Sequence, residues 1–197
     1  MDIIRVDRLP AVPWKNKGGT TRAIAASPPD ADFDTADWRV DLTDIIRGGP
    51  FSHLPGIDRI LLPVAAGLRL GFDGADPTPV AIFDATAFDG ATPTTCDLDA
   101  QTAGRGVQVV NLLLRRDRTT GRLLGFPGAG RLREPGGTVV LYAARGGFTL
   151  VEDGGRPVPL DVGHAAVHAD AVAPLAFEPY RPWSMLIAAV IQPTVTG

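Results

Sequence analysis

The chain contains a single cysteine, Cys96, in 197 residues. That excludes an intramolecular disulfide and a cysteine-based metal cluster. Histidine is almost as scarce, with only His53, His164 and His168, and no H-x-H-plus-carboxylate cluster of a metal site is present. No apolar run approaches the roughly 20 residues needed to span a bilayer. The start, Met1-Asp2-Ile3-Ile4-Arg5, lacks the apolar stretch of a signal peptide. The formal net charge is −3 and the basic residues are dispersed, so there is no electrostatic footprint for nucleic acid. These absences point to a reduced, cytoplasmic setting with neither nucleic acid nor membrane as partner. Catalytic signatures are missing as well. There is no G-x-S-x-G elbow, and Gly18-Gly19-Thr20-Thr21 fits neither phosphate-loop pattern. Cys96 is followed by Asp97, a neighbour that raises a thiol pKa instead of activating it.

What is present is an ordinary globular composition, 45% apolar and 21% charged. Its 23 glycines and 18 prolines punctuate short runs rich in Val, Ile, Leu, Thr and Phe, the pattern of an all-β sandwich or barrel. The clearest strands are expected at 20–26, 38–46, 57–62, 68–72, 107–115, 138–144, 148–152 and 183–191. Arg145-Gly146-Gly147 and Asp153-Gly154-Gly155 read as hairpin turns. No window carries a capped helical stripe, so helices are minor. The turn-rich stretch 90–95 and Gly104-Arg105-Gly106 divide a front lobe, about 1–103, from a back lobe, about 104–197. Neither separator has the length of a flexible linker, so the lobes are expected to pack together.

Three segments concentrate the polar chemistry. Pro13-Trp14-Lys15-Asn16-Lys17-Gly18-Gly19-Thr20-Thr21-Arg22 holds both lysines of a chain whose other basic residues are all arginine. Lysine offers a flexible point charge where arginine offers a planar fork. In 38–45, alternation sets Trp38, Val40 and Leu42 on one face and Arg39, Asp41 and Thr43 on the other. Arg59 is a charge within an apolar strand. It exits to solvent, pairs with Asp41, Asp44 or Asp58, or faces an enclosed cavity. In 107–116, Val107, Val109, Asn111, Leu113 and Arg115 share a face. A buried Asn111 needs hydrogen-bond partners, from a backbone kink or from a ligand. His164 and His168 are four apart, but on a strand that spacing is roughly 13 Å, too far for one ion. Donors are plentiful and no nucleophile is evident, which favours binding of a small anion over turnover.

Taken together, these segments resemble the HutD/Ves family of bicupin proteins. The likeness rests on Pro13-Trp14-Lys15-Asn16-x-Gly18-Gly19-Thr20-Thr21-Arg22 and on Trp38-Arg39 ahead of Asp44. It rests equally on Gly49-Pro50-Phe51-Ser52-x-x-Pro55-Gly56-Ile57-Asp58-Arg59 and Asn111-x-x-x-Arg115-Arg116. The resemblance implies a bicupin, two cupin-like jelly-roll barrels in one chain, without the metal-binding histidines of enzymatic cupins and without a cofactor. It implies a regulator of histidine and amino-acid catabolism, not an enzyme, binding a small acidic metabolite such as N-formylglutamate. The pocket it implies is lined by Trp14, Lys15, Asn16, Arg22, Arg59, Asn111 and Arg115. Two positions depart from the family pattern: Lys17 stands where a glycine is usual, and Val109-Val110 replaces an Asp-Phe pair. Two rival readings stand beside it. One is a cupin-barrel isomerase or lyase with His53 or an aspartate as base; the other is an interaction module using Phe51 and Leu54. The oligomeric state is open, a homodimer included.

Overall fold

The computed structural model describes residues 1–98, 102, 105–133 and 136–194. It is nearly all β, with one short 3-10 helix at Val6–Arg8 among the described residues. The chain divides into two compact units, Pro10–Arg118 and a second built from Met1–Leu9 with Thr119–Gly197. After β1 (Asp2–Arg5), the first unit contains β2 (Val12–Pro13), β3 (Gly19–Ser27), β4 (Trp38–Ile45), β5 (Gly49–Pro50) and β6 (Ile57–Pro63). It continues with β7 (Leu68–Phe72), β8 (Thr78–Val80), β9 (Thr86–Asp89), β10 (Thr94–Asp97) and β11 (Val107–Arg115). The second unit has β12 (Thr119–Phe126), β13 (Gly130–Leu132), β14 (Gly137–Arg145) and β15 (Phe148–Glu152). β16 (Val158–Leu160), β17 (His164–Ala171), β18 (Leu175–Pro179) and β19 (Met185–Pro193) complete it.

Each unit is a pair of antiparallel sheets. In Pro10–Arg118 a six-stranded sheet of order β2-β3-β4-β11-β6-β9 faces a four-stranded sheet of order β5-β10-β7-β8. Their inner faces meet in one core: Ile45, Leu61, Val107 and Val109 from the first, Leu68, Leu70, Val80 and Cys96 from the second. Burying each such aliphatic side chain contributes roughly 1.5–3 kcal/mol. Gly19 permits the closest approach in the large sheet, since a Cβ there would meet the Asp44 carbonyl oxygen at 2.4 Å.

The other unit pairs a sheet of order β1-β17-β14-β19-β12 with one of order β13-β18-β15-β16. Its hydrophobic core includes Phe148, Leu150, Leu160, Leu175 and Phe177, all at 0% exposure. The expected hairpin turn at 153–155 forms between the paired strands β15 and β16, with Gly154 at φ +75°. Arg145-Gly146-Gly147, with Gly146 at φ +57°, is not a hairpin, because it carries the chain from β14 in one sheet to β15 in the other.

Strands expected at 68–72, 107–115 and 148–152 have those bounds; those expected at 38–46 and 57–62 differ by one residue at one end, and those at 20–26 and 138–144 by one residue at each end. The strand expected at 183–191 lies two residues later, as β19. β12 went unanticipated because it is an edge strand in which only Leu123 is buried. The lobe boundary expected between 103 and 104 lies outside the described residues, as does Gly104 of the expected separator. The compact units divide instead at Leu9/Pro10 and Arg118/Thr119. Backbone pairing is the reason. β11 is central in the front sheet, paired with both β4 and β6, whereas β1 pairs with β17.

Candidate functional site

The two cores differ in one respect that locates the site. Among the described residues the second unit buries one polar side chain, Ser184, whereas the inner face of the front sheet becomes polar toward one end, with Thr21, Arg39, Asp41 and Thr43 buried. Strand register shows how. Val107 pairs with Ile45, and Val109 with Thr43 and Pro63. Asn111 pairs with Asp41 and Leu61, and Leu113 with Arg39 and Arg59. Residues opposite one another share a face, so Arg39, Asp41, Thr43, Arg59 and Asn111 all project to the side that carries the core.

Four of the side chains there form a hydrogen-bonded chain. Trp14 Nε1 donates to Thr21 Oγ1 at 2.9 Å, and Asn111 Nδ2 donates to Thr43 Oγ1 at 3.2 Å. The two hydroxyls lie 3.1 Å apart, so one donates to the other. Each threonine oxygen therefore receives a bond, and one hydroxyl proton remains to be donated. Among the described residues the Asn111 carbonyl oxygen also has no donor opposite it and can accept.

Beside this chain stand two arginines and one carboxylate. Asp41 is 1% exposed, and Arg39 grips it with Nη2 to Oδ1 at 2.9 Å and Nε to Oδ2 at 3.3 Å. Burial holds the Asp41 carboxyl above its usual range, with the charges of Arg39 and Arg59 opposing that rise only in part. The Arg59 guanidinium lies 4.8 Å from the Phe51 ring centroid and 5.0 Å from that of Phe88. Among the described residues its Nη1 donates to the Ser52 carbonyl at 3.3 Å and its buried Nε has no partner. Burial pushes the Arg59 pKa down to about 10, Asp41 opposing, so the guanidinium is still charged at neutral pH. Phe51 packs edge-on to Trp14 at 6.3 Å and Phe88 against Phe72 at 5.4 Å, extending an aromatic wall. Among the described residues, Arg39 and Arg59 set two cations against the one carboxylate of Asp41, and the Arg59 Nε is an unused donor.

Of the candidate residues, the structure brings Trp14, Arg59 and Asn111 together on this side of the sheet. The remaining candidates are placed otherwise. Lys15 and Asn16 lie exposed on the turn after Trp14. There Asn16 Oδ1 accepts from the Gly18 amide at 2.8 Å, and its carbonyl accepts from Arg47 Nη2, so Asn16 builds the turn. Arg22 pairs with Leu42, on the opposite face of the sheet. It forms an ion pair with Asp44 at 2.7 Å, and Gln108 Nε2 donates to the same carboxylate at 2.9 Å. Arg115 clips a loop, donating from Nε to the Ala36 carbonyl at 3.1 Å and from Nη2 to that of Asp34 at 2.7 Å. Asp41, Thr21, Thr43, Phe51 and Phe88 were missed as site residues. The alternation in 38–45 had set Asp41 and Thr43 beside Arg39 on one face, which was the available signal.

Of the other candidates, His53 is exposed on its loop. His168 Nε2 lies 2.9 Å from Glu152 Oε1, while His164 sits four residues away at the start of β17, opposite Arg5. Cys96 is buried, and burial together with Asp97 pushes its thiol up to about 12. No helix among the described residues is long and apolar enough to cross a membrane.

Comparison with known proteins agrees with this architecture. A Pseudomonas putida protein described as an uncharacterized 21.2 kDa protein in the hutC 3' region is 34% identical over 145 residues, 73% of this chain and 74% of its own. The crystal structure of a conserved protein of unknown function from Pseudomonas aeruginosa PAO1 superposes with a TM-score of 0.86 at 26% identity. That match covers 97% of this chain and 98% of the other. A cupin 2 conserved barrel domain protein from Leptotrichia buccalis shares the fold at a TM-score of 0.58 and 11% identity, over 96% of each chain. The family model described as HutD matches residues 7–178: the chain belongs to the HutD family and has its cupin-like all-β fold.

Proposed function

We propose that the Pro10–Arg118 barrel binds a small carboxylate metabolite, of the N-formylglutamate type, and so regulates histidine or amino-acid catabolism. The observation that carries this reading is Arg59, a charged guanidinium set against Phe51 and Phe88 with a buried, unpartnered Nε. Charge-assisted bonds from a guanidinium to a carboxylate are among the stronger polar contacts. They would satisfy donors that the protein leaves unused. The carbonyl of Asn111 and the free hydroxyl proton of the Thr21–Thr43 pair suit an amide or formyl group on the same ligand. The pathway assignment is supported by membership of the HutD family and by the relative named for the hutC 3' region.

Thermal unfolding with urocanate, N-formylglutamate, formiminoglutamate and glutamate tests this reading. A ligand at 100 times its Kd stabilises by about 2.7 kcal/mol, which raises the midpoint by several degrees for a chain of this size. A selective shift that Arg59→Ala abolishes is expected. Lys15→Ala separates long-range attraction at the exposed turn from direct contact, and a smaller effect is expected of it. No shift with any of the acids, or a shift indifferent to Arg59→Ala, overturns the site.

A further inference from the structure

One end of the second unit carries a feature unrelated to the front barrel. Trp183 is 64% exposed, Val162 58% and Tyr180 44%, and the three line one open cleft of about 520 Å³ with Asp161 and Arg181. Exposed large apolar side chains scattered singly need no explanation, whereas a contiguous group marks an interaction surface. This group is also held rigidly. The Tyr180 amide donates to the Gly147 carbonyl at 2.8 Å and the Ser184 amide to the Arg181 carbonyl at 3.0 Å. Ser184, 1% exposed, receives the Arg181 amide at 3.2 Å and donates to the Gly147 carbonyl at 3.3 Å. A Cβ at Gly147 would lie 2.5 Å from the Tyr180 ring, so the turn and the ring are already in close contact. Trp183 therefore stands in water on a fixed turn, and little conformational entropy is lost when it is covered.

The charges of the cleft indicate what covers it. Asp161 and Arg181 are exposed, opposite in sign, and neither side chain has an ionic or hydrogen-bonded partner among the described residues. A patch bearing one unpaired cation, one unpaired anion and a central aromatic is complementary to itself. In a two-fold interface, residue i of one copy meets residue j of the other and the converse holds. The geometry points to a second copy of this chain as the occupant. In that homodimer Trp183 of each copy is buried in the cleft of the other, and Arg181 pairs with Asp161 across the two-fold axis, twice. Trp, Tyr and Arg are the residue types that dominate the energetics of such contacts.

Sedimentation equilibrium of the full chain over a range of concentrations tests the proposal. The wild type should show a monomer–dimer equilibrium, and Trp183→Ala should raise its dissociation constant by roughly tenfold or more. Arg181→Asp alone and Asp161→Arg alone should each be monomeric, because both cross-axis pairs become repulsive. An equimolar mixture of the two should dimerise, since both pairs are then attractive. Circular dichroism of each variant separates loss of association from loss of fold, and these surface positions should leave the spectrum unchanged. A wild type that stays monomeric at all concentrations, its cleft left to a different partner, overturns the proposal. So does a dimer indifferent to all three substitutions, or a mixture that stays monomeric.

Discussion

Arg39 and Asp41, two positions apart on β4, close on each other inside the front barrel, with Arg39 Nη2 2.9 Å from Asp41 Oδ1. The Arg39 guanidinium is further held by the Ala31 carbonyl at 2.8 Å and by the Phe33 ring, 4.3 Å from its centroid. Removing one partner of a buried pair leaves the other charge uncompensated, which costs about 3–5 kcal/mol. Arg39→Met is therefore expected to destabilise by at least about 3 kcal/mol, measured by urea denaturation. A loss below about 1 kcal/mol, the range of exposed pairs, would mean that solvent reaches Asp41.

The same carboxylate should leave a trace in the pH dependence of stability. Burial raises the Asp41 pKa above its ordinary value of 3.8 in the folded chain. The folded state then binds this proton more tightly than the unfolded state, so stability falls as pH rises from that value through the raised one. Asp41→Asn cannot ionise and lacks this decline. The stability of the wild type minus that of Asp41→Asn should decrease with rising pH above about 4. A difference that grows with pH would reverse the assignment.

Lys17 occupies the left-handed region at φ +56° on the turn that carries Trp14. A side chain there is strained where glycine is not, by about 1–2 kcal/mol. Part of the gain from glycine is returned through the greater freedom of the unfolded chain. Lys17→Gly should accordingly stabilise by roughly 0.5–1 kcal/mol, read as a higher denaturation midpoint. Gly19→Ala on the same segment should destabilise, since its Cβ would meet the Asp44 carbonyl oxygen.

Cys96 is 1% exposed and its thiol is pushed up to about 12. Only the thiolate is nucleophilic, so the folded protein should resist thiol-reactive dyes at neutral pH. In denaturant it should label with one equivalent. Rapid labelling of the folded chain would place Cys96 outside the core.

By itself the sequence determined the local quantities. Punctuation by glycine and proline set the all-β class, and period-2 alternation grouped Arg39 with Asp41 and Thr43, and Asn111 with Val107, Val109 and Leu113. The polar motifs selected Trp14, Arg59 and Asn111, which do converge on one side of one sheet. Tertiary structure decided what depends on partners far away in the chain. β4 and β11 bury residues on both faces, so alternation alone does not say which face lines the core. Arg22 shares a motif with Trp14 yet falls on the opposite face, where Asp44 takes its charge. Arg115 shares a face with Asn111, but its length lets the guanidinium turn to the carbonyls of Asp34 and Ala36. Arg59 had three carboxylates as candidate partners. Arg116 engages Asp58 and Arg22 engages Asp44, which leaves Asp41 as its buried counter-charge. The unit boundaries depend on β1 pairing with β17, more than 150 residues away. Backbone hydrogen bonds between strands carry no local sequence signal, so register and neighbour choice exist only once the chain has folded.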